Sequence, residues 1–233
     1  MEYEVIDGLY IKNGCYLDPI HSGDVDRDAF ELAQKILLER FEQYKRKAPL
    51  LLPLMRGGTR PFLNMSGSFR YFIKYFRPLL GNNNDIGYVP INISRYGVSE
   101  INAEGEVKVD EHDMAQAFYA LRNYEEAVIV DDVFDKGITT KRIKDGLQQN
   151  GKSVIIATLH RKPELRQVDI NPDFWIRDYF KKTIRSKEYP PWIVYPWEID
   201  DHSMALWEIL FPEFKGVHPE LVITKLGGRK ASD

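Results

Sequence analysis

Val128-Ile129-Val130-Asp131-Asp132-Val133-Phe134-Asp135-Lys136-Gly137-Ile138-Thr139-Thr140 carries the strongest local signals in the chain. Ala127 to Asp132 reads as a buried strand that carries two adjacent carboxylates, Asp131 and Asp132, to its C-terminal end. That is the end at which open α/β sheets bind ligands. A third acid, Asp135, follows; Gly137 then turns the chain into a helix from Ile138 to about Asn150, closed by Gly151. Main-chain N–H groups at the helix start, the Thr139 and Thr140 hydroxyls and the Lys136 ammonium make an anion site. Acids beside an anion site suit a phosphorylated sugar. The acids take its hydroxyls or a magnesium ion, and the turn takes its phosphate.

Working outward, Ser153 to His160 is a second buried strand and Pro49 to Met55 a third, too brief for a helix. Phe30, Ala33, Ile36, Leu37, Phe41 and Tyr44 recur at helical spacing and predict a helix over Asp26–Lys47, with acids in its first turn. Pro61 opens another apolar-faced helix, Ile86 to Ser94 reads as a strand, Val107 to Val109 as a returning strand, and Asp113 to Arg122 as a short helix. Strands alternating with helices, several of them apolar on both faces, predict an α/β fold with a mostly parallel central sheet flanked by helices. Asp7-Gly8 and Asn13-Gly14 mark turns in an N-terminal arm. Beyond residue 170 the chain becomes rich in aromatics and prolines, and a last helix is predicted over His202–Leu210.

The 233 residues are few for two full domains of ~150 residues each. With 43% hydrophobic and 29% charged residues the composition is that of a globular protein. The net charge of −3 supplies no cationic field for a nucleic-acid partner. The longest apolar run, Ala48 to Met55, is broken by Pro49 and Pro53, so no membrane span is expected, and Met1-Glu2-Tyr3-Glu4 lacks the features of a signal peptide. A cytoplasmic location is the expectation. Cys15, the single cysteine, forms no internal disulfide, and the five histidines show no metal-ligand spacing.

The Val128–Thr140 stretch resembles the signature of the type I phosphoribosyltransferases: an apolar run, two acids, two apolar residues, then Asp-Thr-Gly-x-Thr. Lys136 stands where the first threonine is usual, at a position that mainly lends its main chain to the 5′-phosphate. The resemblance implies a type I phosphoribosyltransferase fold with a small hood subdomain and the substrate phosphoribosyl pyrophosphate (PRPP). Asp131 and Asp132 hold its ribose and Mg²⁺; Asp135, Lys136, Gly137, Ile138, Thr139 and Thr140 hold its 5′-phosphate; Asp135 is the catalytic base. Met55-Arg56-Gly57-Gly58 resembles the pyrophosphate loop of that family, in which a cis peptide often precedes the first glycine, here at Met55–Arg56.

Pro191-Trp192-Ile193-Val194-Tyr195-Pro196-Trp197-Glu198 resembles the base-binding stretch of xanthine/guanine phosphoribosyltransferases. By position Trp192 stacks on the purine, Ile193 offers its main chain to the purine edge, and Glu198 lies near the metal or the 2-substituent. In His160-Arg161-Lys162-Pro163, Lys162 is the donor to the purine O6, or Arg161 if the register is one residue off. An ammonium only donates, so it accepts a 6-oxo group and opposes a 6-amino group. Arg95 to Glu106, with Gly97 and Gly105, matches the place of the family's mobile loop, while Lys181, Lys182, Arg185 and Lys187 read as a solvated basic face.

The implied activity is transfer of the phosphoribosyl group to guanine, xanthine or hypoxanthine with Mg²⁺, in a homodimer or homotetramer, with neither nucleic acid nor membrane as a partner. Another acceptor base, or a nucleotide-sensing protein of the same fold without turnover, are the competing readings. The expected division is an arm over 1–23 that packs into the hood or an interface, a core over 24–198 with the hood at about 165–198, and a C-terminal helical extension over 199–233.

Overall fold

The computed structural model describes residues 4–44, 47–55, 57–80, 86–94, 108–149 and 151–195. Its main sheet has seven strands: β4 (Leu50–Met55), β5 (Gly87–Tyr88), β6 (Ile91–Ser94), β7 (Lys108–Val109), β8 (Glu126–Phe134), β9 (Ser153–Arg161) and β10 (Phe174–Asp178). The spatial order is β10-β9-β8-β4-β6-β7, with β5 also on β4. All its pairings are parallel except that of β7 with β6.

The strand expected over Ile86–Ser94 is two short ones, divided at Val89-Pro90. Pro90 has no N–H to give to a ladder. Two elements run beyond their predicted bounds. β8 continues past Asp131 and Asp132 because Val133 and Phe134 still pair with His160 and Arg161 of β9. The acids therefore lie inside the strand's last turn of pleat and not at its terminus. The helix expected from Asp26 to Lys47 is α1 (Ser22–Glu39), interrupted at Arg40, then a single turn, α2 (Phe41–Tyr44).

Successive residues of a strand face opposite ways, and the sheet separates two cores accordingly. Leu51, Val128, Val130, Ile155 and Ala157 meet Val25, Ala29, Leu32 and Ile36 of α1 and Met65 and Phe69 of α3 (Thr59–Leu80). Leu50, Leu52, Ala127, Ile129 and Ile156 meet Ala117 and Leu121 of α4 (Glu111–Leu121) and Ile143 and Leu147 of α5 (Ile138–Gln148). Each fully buried Leu or Ile contributes about 1.5–3 kcal/mol, which holds the strand ends in fixed register. From β4 the chain passes through α3 to β5 and β6 on one side; from β8 it passes through α5 to β9 on the other. The crevice between the C-terminal ends of β4 and β8 is the switch point where such sheets take ligands.

A second sheet lies over that end. It is formed by β1 (Glu4–Ile6), β2 (Leu9–Lys12), β3 (Cys15–Pro19) and β13 (Pro191–Val194), in that order. Asp7-Gly8 and Asn13-Gly14 adopt positive φ at both residues, as two-residue hairpin turns require. β13 joins β3 in parallel, Trp192 opposite Leu17. The hairpin β11 (Lys182–Ile184) and β12 (Lys187–Tyr189) adds Ile184 and Tyr189 to a small core with Ile6, Ile11 and Tyr16. Its basic residues are engaged rather than free: Lys181 with Glu188, Arg185 with Asp7, and Lys182 over the Tyr16 ring. No helix among the described residues is long and apolar enough to cross a membrane.

At the opposite end of β8 the carboxylate of Glu126 is buried. Tyr44 donates to it at 2.6 Å and Ser153 at 2.8 Å. Tyr44→Phe leaves that carboxylate one donor short, at a cost of about 1.5–3 kcal/mol. The expected result is a lower urea midpoint at unchanged slope, read by denaturation, with catalysis unaffected because the pair lies away from the crevice.

Candidate active site

Gly57 and Gly58 follow β4 directly, and at Gly58 the surrounding main chain leaves no room for a side chain. A Cβ on Gly57 would overlap the Asp132 carboxylate; one on Gly58 would overlap the Val130 carbonyl and lie 2.8 Å from the Leu54 oxygen. The glycine turn and the acidic strand are thus in contact across the switch point. Met55 ends β4 half-buried. Arg56, the expected cis bond at Met55–Arg56, Glu198, the Arg95–Glu106 loop and the His202–Leu210 helix lie outside the described residues.

Asp131 and Asp132 turn part of their charge onto their own strand. Asp131 Oδ1 accepts the Asp132 N–H at 3.0 Å, and Asp132 Oδ1 accepts the Val133 N–H at 2.7 Å. Burial pushes the Asp132 carboxyl up to about 6, against the opposing effects of those N–H groups and of Lys162. Gly137, at φ +79, precedes α5, and a Cβ there would strike the Phe134 ring and Val168. Among the described residues no side chain caps α5, which leaves its first N–H groups for water or a ligand. Thr140 is buried there, Thr139 half-buried and Ile138 exposed.

Lys162 and Asp135 meet. The Lys162 N–H donates to the Phe134 carbonyl at 2.9 Å, and its Nζ lies 3.6 Å from Asp135 Oδ2. Asp135 Oδ1 is buried, with no hydrogen-bond partner among the described residues. Arg161 points elsewhere: it forks onto Asp178 at 2.7 and 2.9 Å and stacks on the Trp175 ring at 3.8 Å. The second sheet comes close from above. Cys15, whose thiol burial pushes up, feels both Lys162 and Asp135. Trp192 is 37% exposed, with Lys12 Nζ 5.3 Å from its ring centre, whereas the Ile193 side chain is buried in the core. Lys12, Cys15, Leu17 and Trp192 share one face of that sheet by register.

Three buried residues had no signal that would reveal them. His160 lies between Tyr195 and Asp28, at 2.7 and 3.3 Å, and burial lowers its ring to about 4. Asp28 also accepts from Arg177 at 2.7 Å. In the sequence Asp28 is one of several acids opening a helix, and His160 one of five scattered histidines.

Residues 25–189 match the phosphoribosyl transferase domain family. The chain belongs to that family. Among relatives of this phosphoribosyl transferase domain, the hypoxanthine-guanine phosphoribosyltransferase of Lactococcus lactis subsp. lactis is 31% identical over 133 residues, 57% of this chain and 62% of that protein. The match therefore spans about three-fifths of the relative's length. The hypoxanthine phosphoribosyl transferase of Trypanosoma cruzi superposes over 78% of this chain and 83% of its own, with a TM-score of 0.51 at 17% identity. A purine phosphoribosyltransferase from Pyrococcus horikoshii aligns over 79% of this chain and 95% of its own, with a TM-score of 0.48 at 23% identity. The fold is the type I phosphoribosyltransferase fold, with the mostly parallel sheet described above.

Proposed function

We propose that this protein is a Mg²⁺-dependent phosphoribosyltransferase that joins a 6-oxopurine to PRPP, giving the nucleoside 5′-monophosphate and pyrophosphate. The observation that carries the reading is the Asp135–Lys162 pair, 3.6 Å apart beside the Gly137 turn. On a 6-oxopurine O6 and N7 are neighbours on one edge. Lys162 donates to O6, and the Asp135 carboxylate takes the proton of N7. Adenine brings a 6-amino donor against a group that can only donate, which leaves both unpaired.

The remaining roles are those the family resemblance assigns to these residues. The N–H groups and hydroxyls of Lys136, Gly137, Ile138, Thr139 and Thr140 hold the 5′-phosphate. Asp131 and Asp132 hold the ribose hydroxyls. Met55, Arg56, Gly57 and Gly58 hold the pyrophosphate, Trp192 stacks on the base, and Ile193 presents its main chain. As purine N9 bonds to C1′, the C1′–O bond breaks and its electron pair leaves with pyrophosphate. The N7 proton then passes to Asp135, so charge and protons balance.

Among the described residues no three or more His, Cys, Asp or Glu form a metal cage. Mg²⁺ keeps several waters and binds through one or two carboxylates plus substrate phosphates. Asp131 and Asp132 beside the glycine turn fit that arrangement, and Glu198 is assigned to the same ion. When bound, the ion neutralises the charge growing on pyrophosphate.

The division into an arm (1–23), a core with hood (24–198) and a C-terminal extension (199–233) belongs to the same proposal, as do a dimeric or tetrameric state and a role in purine salvage in the cytoplasm. The test is a base panel with PRPP and Mg²⁺. At least one of hypoxanthine, guanine and xanthine is expected to be turned over, with adenine and orotate at least ~10³-fold slower than it in kcat/KM. Adenine accepted as well as hypoxanthine would overturn the assignment of Lys162.

A further inference from the structure

β4 pairs with β8 only as far as Val130, whereas β9 accompanies it to Phe134, and side chains add further bonds around the acids. Asp131 and Asp132 take the N–H groups of Asp132 and Val133, and the Tyr195 hydroxyl donates to the Asp132 carbonyl at 3.0 Å. These bonds differ in kind. The first two use carboxylate oxygens, so they compete with any hydroxyl or cation the acids are asked to hold. The third uses a main-chain carbonyl and a phenol, and it persists when the carboxylates turn to a ligand.

Tyr195 is itself fixed. It is 1% exposed, its hydroxyl is hydrogen-bonded to His160 Nδ1 at 2.7 Å, and the two rings stack with centres 5.6 Å apart and planes 15° apart. His160 is fully buried, with Tyr179 edge-on at 5.1 Å. Its Nε2 lies 3.3 Å from Asp28 of α1, whose other oxygen accepts from Arg177 of β10 at 2.7 Å. Because the phenol gives its proton to the Asp132 carbonyl, the neutral His160 ring donates from Nδ1 to the phenol oxygen, and its Nε2 faces Asp28 without donating to it. Tyr195 follows β13 directly and lies three residues beyond Trp192.

We propose that Tyr195, braced by His160, is a positioning residue that ties the base-stacking strand β13 to the carbonyl of Asp132 and holds the acidic strand end in place while its carboxylates take PRPP. The ligand named here rests on the function proposed above; the tether itself does not. Neither residue touches the substrate. Their effect is on where the Asp131 and Asp132 main chain lies.

Two measurements on Tyr195→Phe separate these levels. In ligand-free protein, hydrogen exchange is expected to accelerate at least threefold over 131–134 and to stay unchanged in β4; equal exchange in wild type and variant overturns the tether. With Mg·PRPP, titration is expected to show five- to tenfold weaker binding, while the KM for the base and kcat at saturating PRPP stay within twofold. That matches the loss of one net hydrogen bond of about 1 kcal/mol. A uniform fall in kcat with unchanged PRPP affinity, or no change at all, overturns the positioning role. Wild type that fails to bind Mg·PRPP while exchange still accelerates overturns the function proposed for the site and, with it, this role for Tyr195. His160→Gln, which leaves the phenol in place and removes its brace, is expected to show the same pattern at smaller amplitude and serves if Tyr195→Phe does not fold.

Discussion

Asp135→Asn is expected to lower kcat by about 10²–10⁴-fold, the usual contribution of a positioned general base. The amide matches the carboxylate in size and still meets Lys162, but it cannot accept the N7 proton. One of its oxygens lies 3.6 Å from Lys162, and the other is buried with no hydrogen-bond partner among the described residues. The side chain is 42% exposed, so the substitution removes little packing, and the thermal midpoint should move by only a few degrees. Steady-state kinetics with guanine and PRPP checks the rate, and calorimetry checks the fold. Wild-type turnover in the variant would remove Asp135 from the mechanism.

The second large effect belongs to Asp132. Asp132→Asn is expected to weaken Mg·PRPP binding about 10- to 100-fold, since hydrogen bonds to a charged group are worth about 1.5–3 kcal/mol. Stability should move the other way. The carboxyl titrates near 6 when folded against 3.8 for the free group, because burial disfavours its charge. Between those values the folded protein holds a proton that the unfolded chain has released, so stability falls as pH rises from about 4 through 6. Above 6 the cost of the buried charge is complete, and the asparagine variant is expected to melt higher than wild type at pH 7. The gain should vanish below pH 4, where Asp132 is protonated in both states. PRPP affinity of the wild type should likewise weaken as pH drops through 6. Calorimetry at pH 3.5 and 7, with titrations at pH 5.5 and 7.5, decides both. A variant less stable than wild type at pH 7 would mean that Asp132 is there for the fold.

The local parts of this site were open to reading from the chain. Val128 to Thr140 announces a strand, a turn and a helix through its apolar run, Gly137 and helical spacing, and Asp7-Gly8 and Asn13-Gly14 announce their hairpins. What stayed hidden depends on residues far apart. Two aspartates inside a strand are read as its end, since nothing local shows that Val133 and Phe134 will find His160 and Arg161. The pairing of β3 with β13 joins residues some 175 apart, and parallel strands carry no turn between them to betray the register. Lys162 and Asp135 lie far apart in the sequence, and the Phe134 carbonyl, which takes the Lys162 N–H, helps bring them together. The Asp28–His160–Tyr195 chain is less legible still. Each residue is a lone polar group whose meaning is fixed by burial and by partners on three other elements.

The activity proposed for the crevice between β4 and β8 is the making of a nucleotide from a 6-oxopurine. The most direct measurement is chromatographic product analysis after incubating the protein with PRPP, Mg²⁺ and labelled guanine, hypoxanthine or xanthine in turn. The expected result is the nucleoside 5′-monophosphate and pyrophosphate in equal amounts from at least one of the three, and none without Mg²⁺. No nucleotide from any of them, by protein that is folded, would contradict the account.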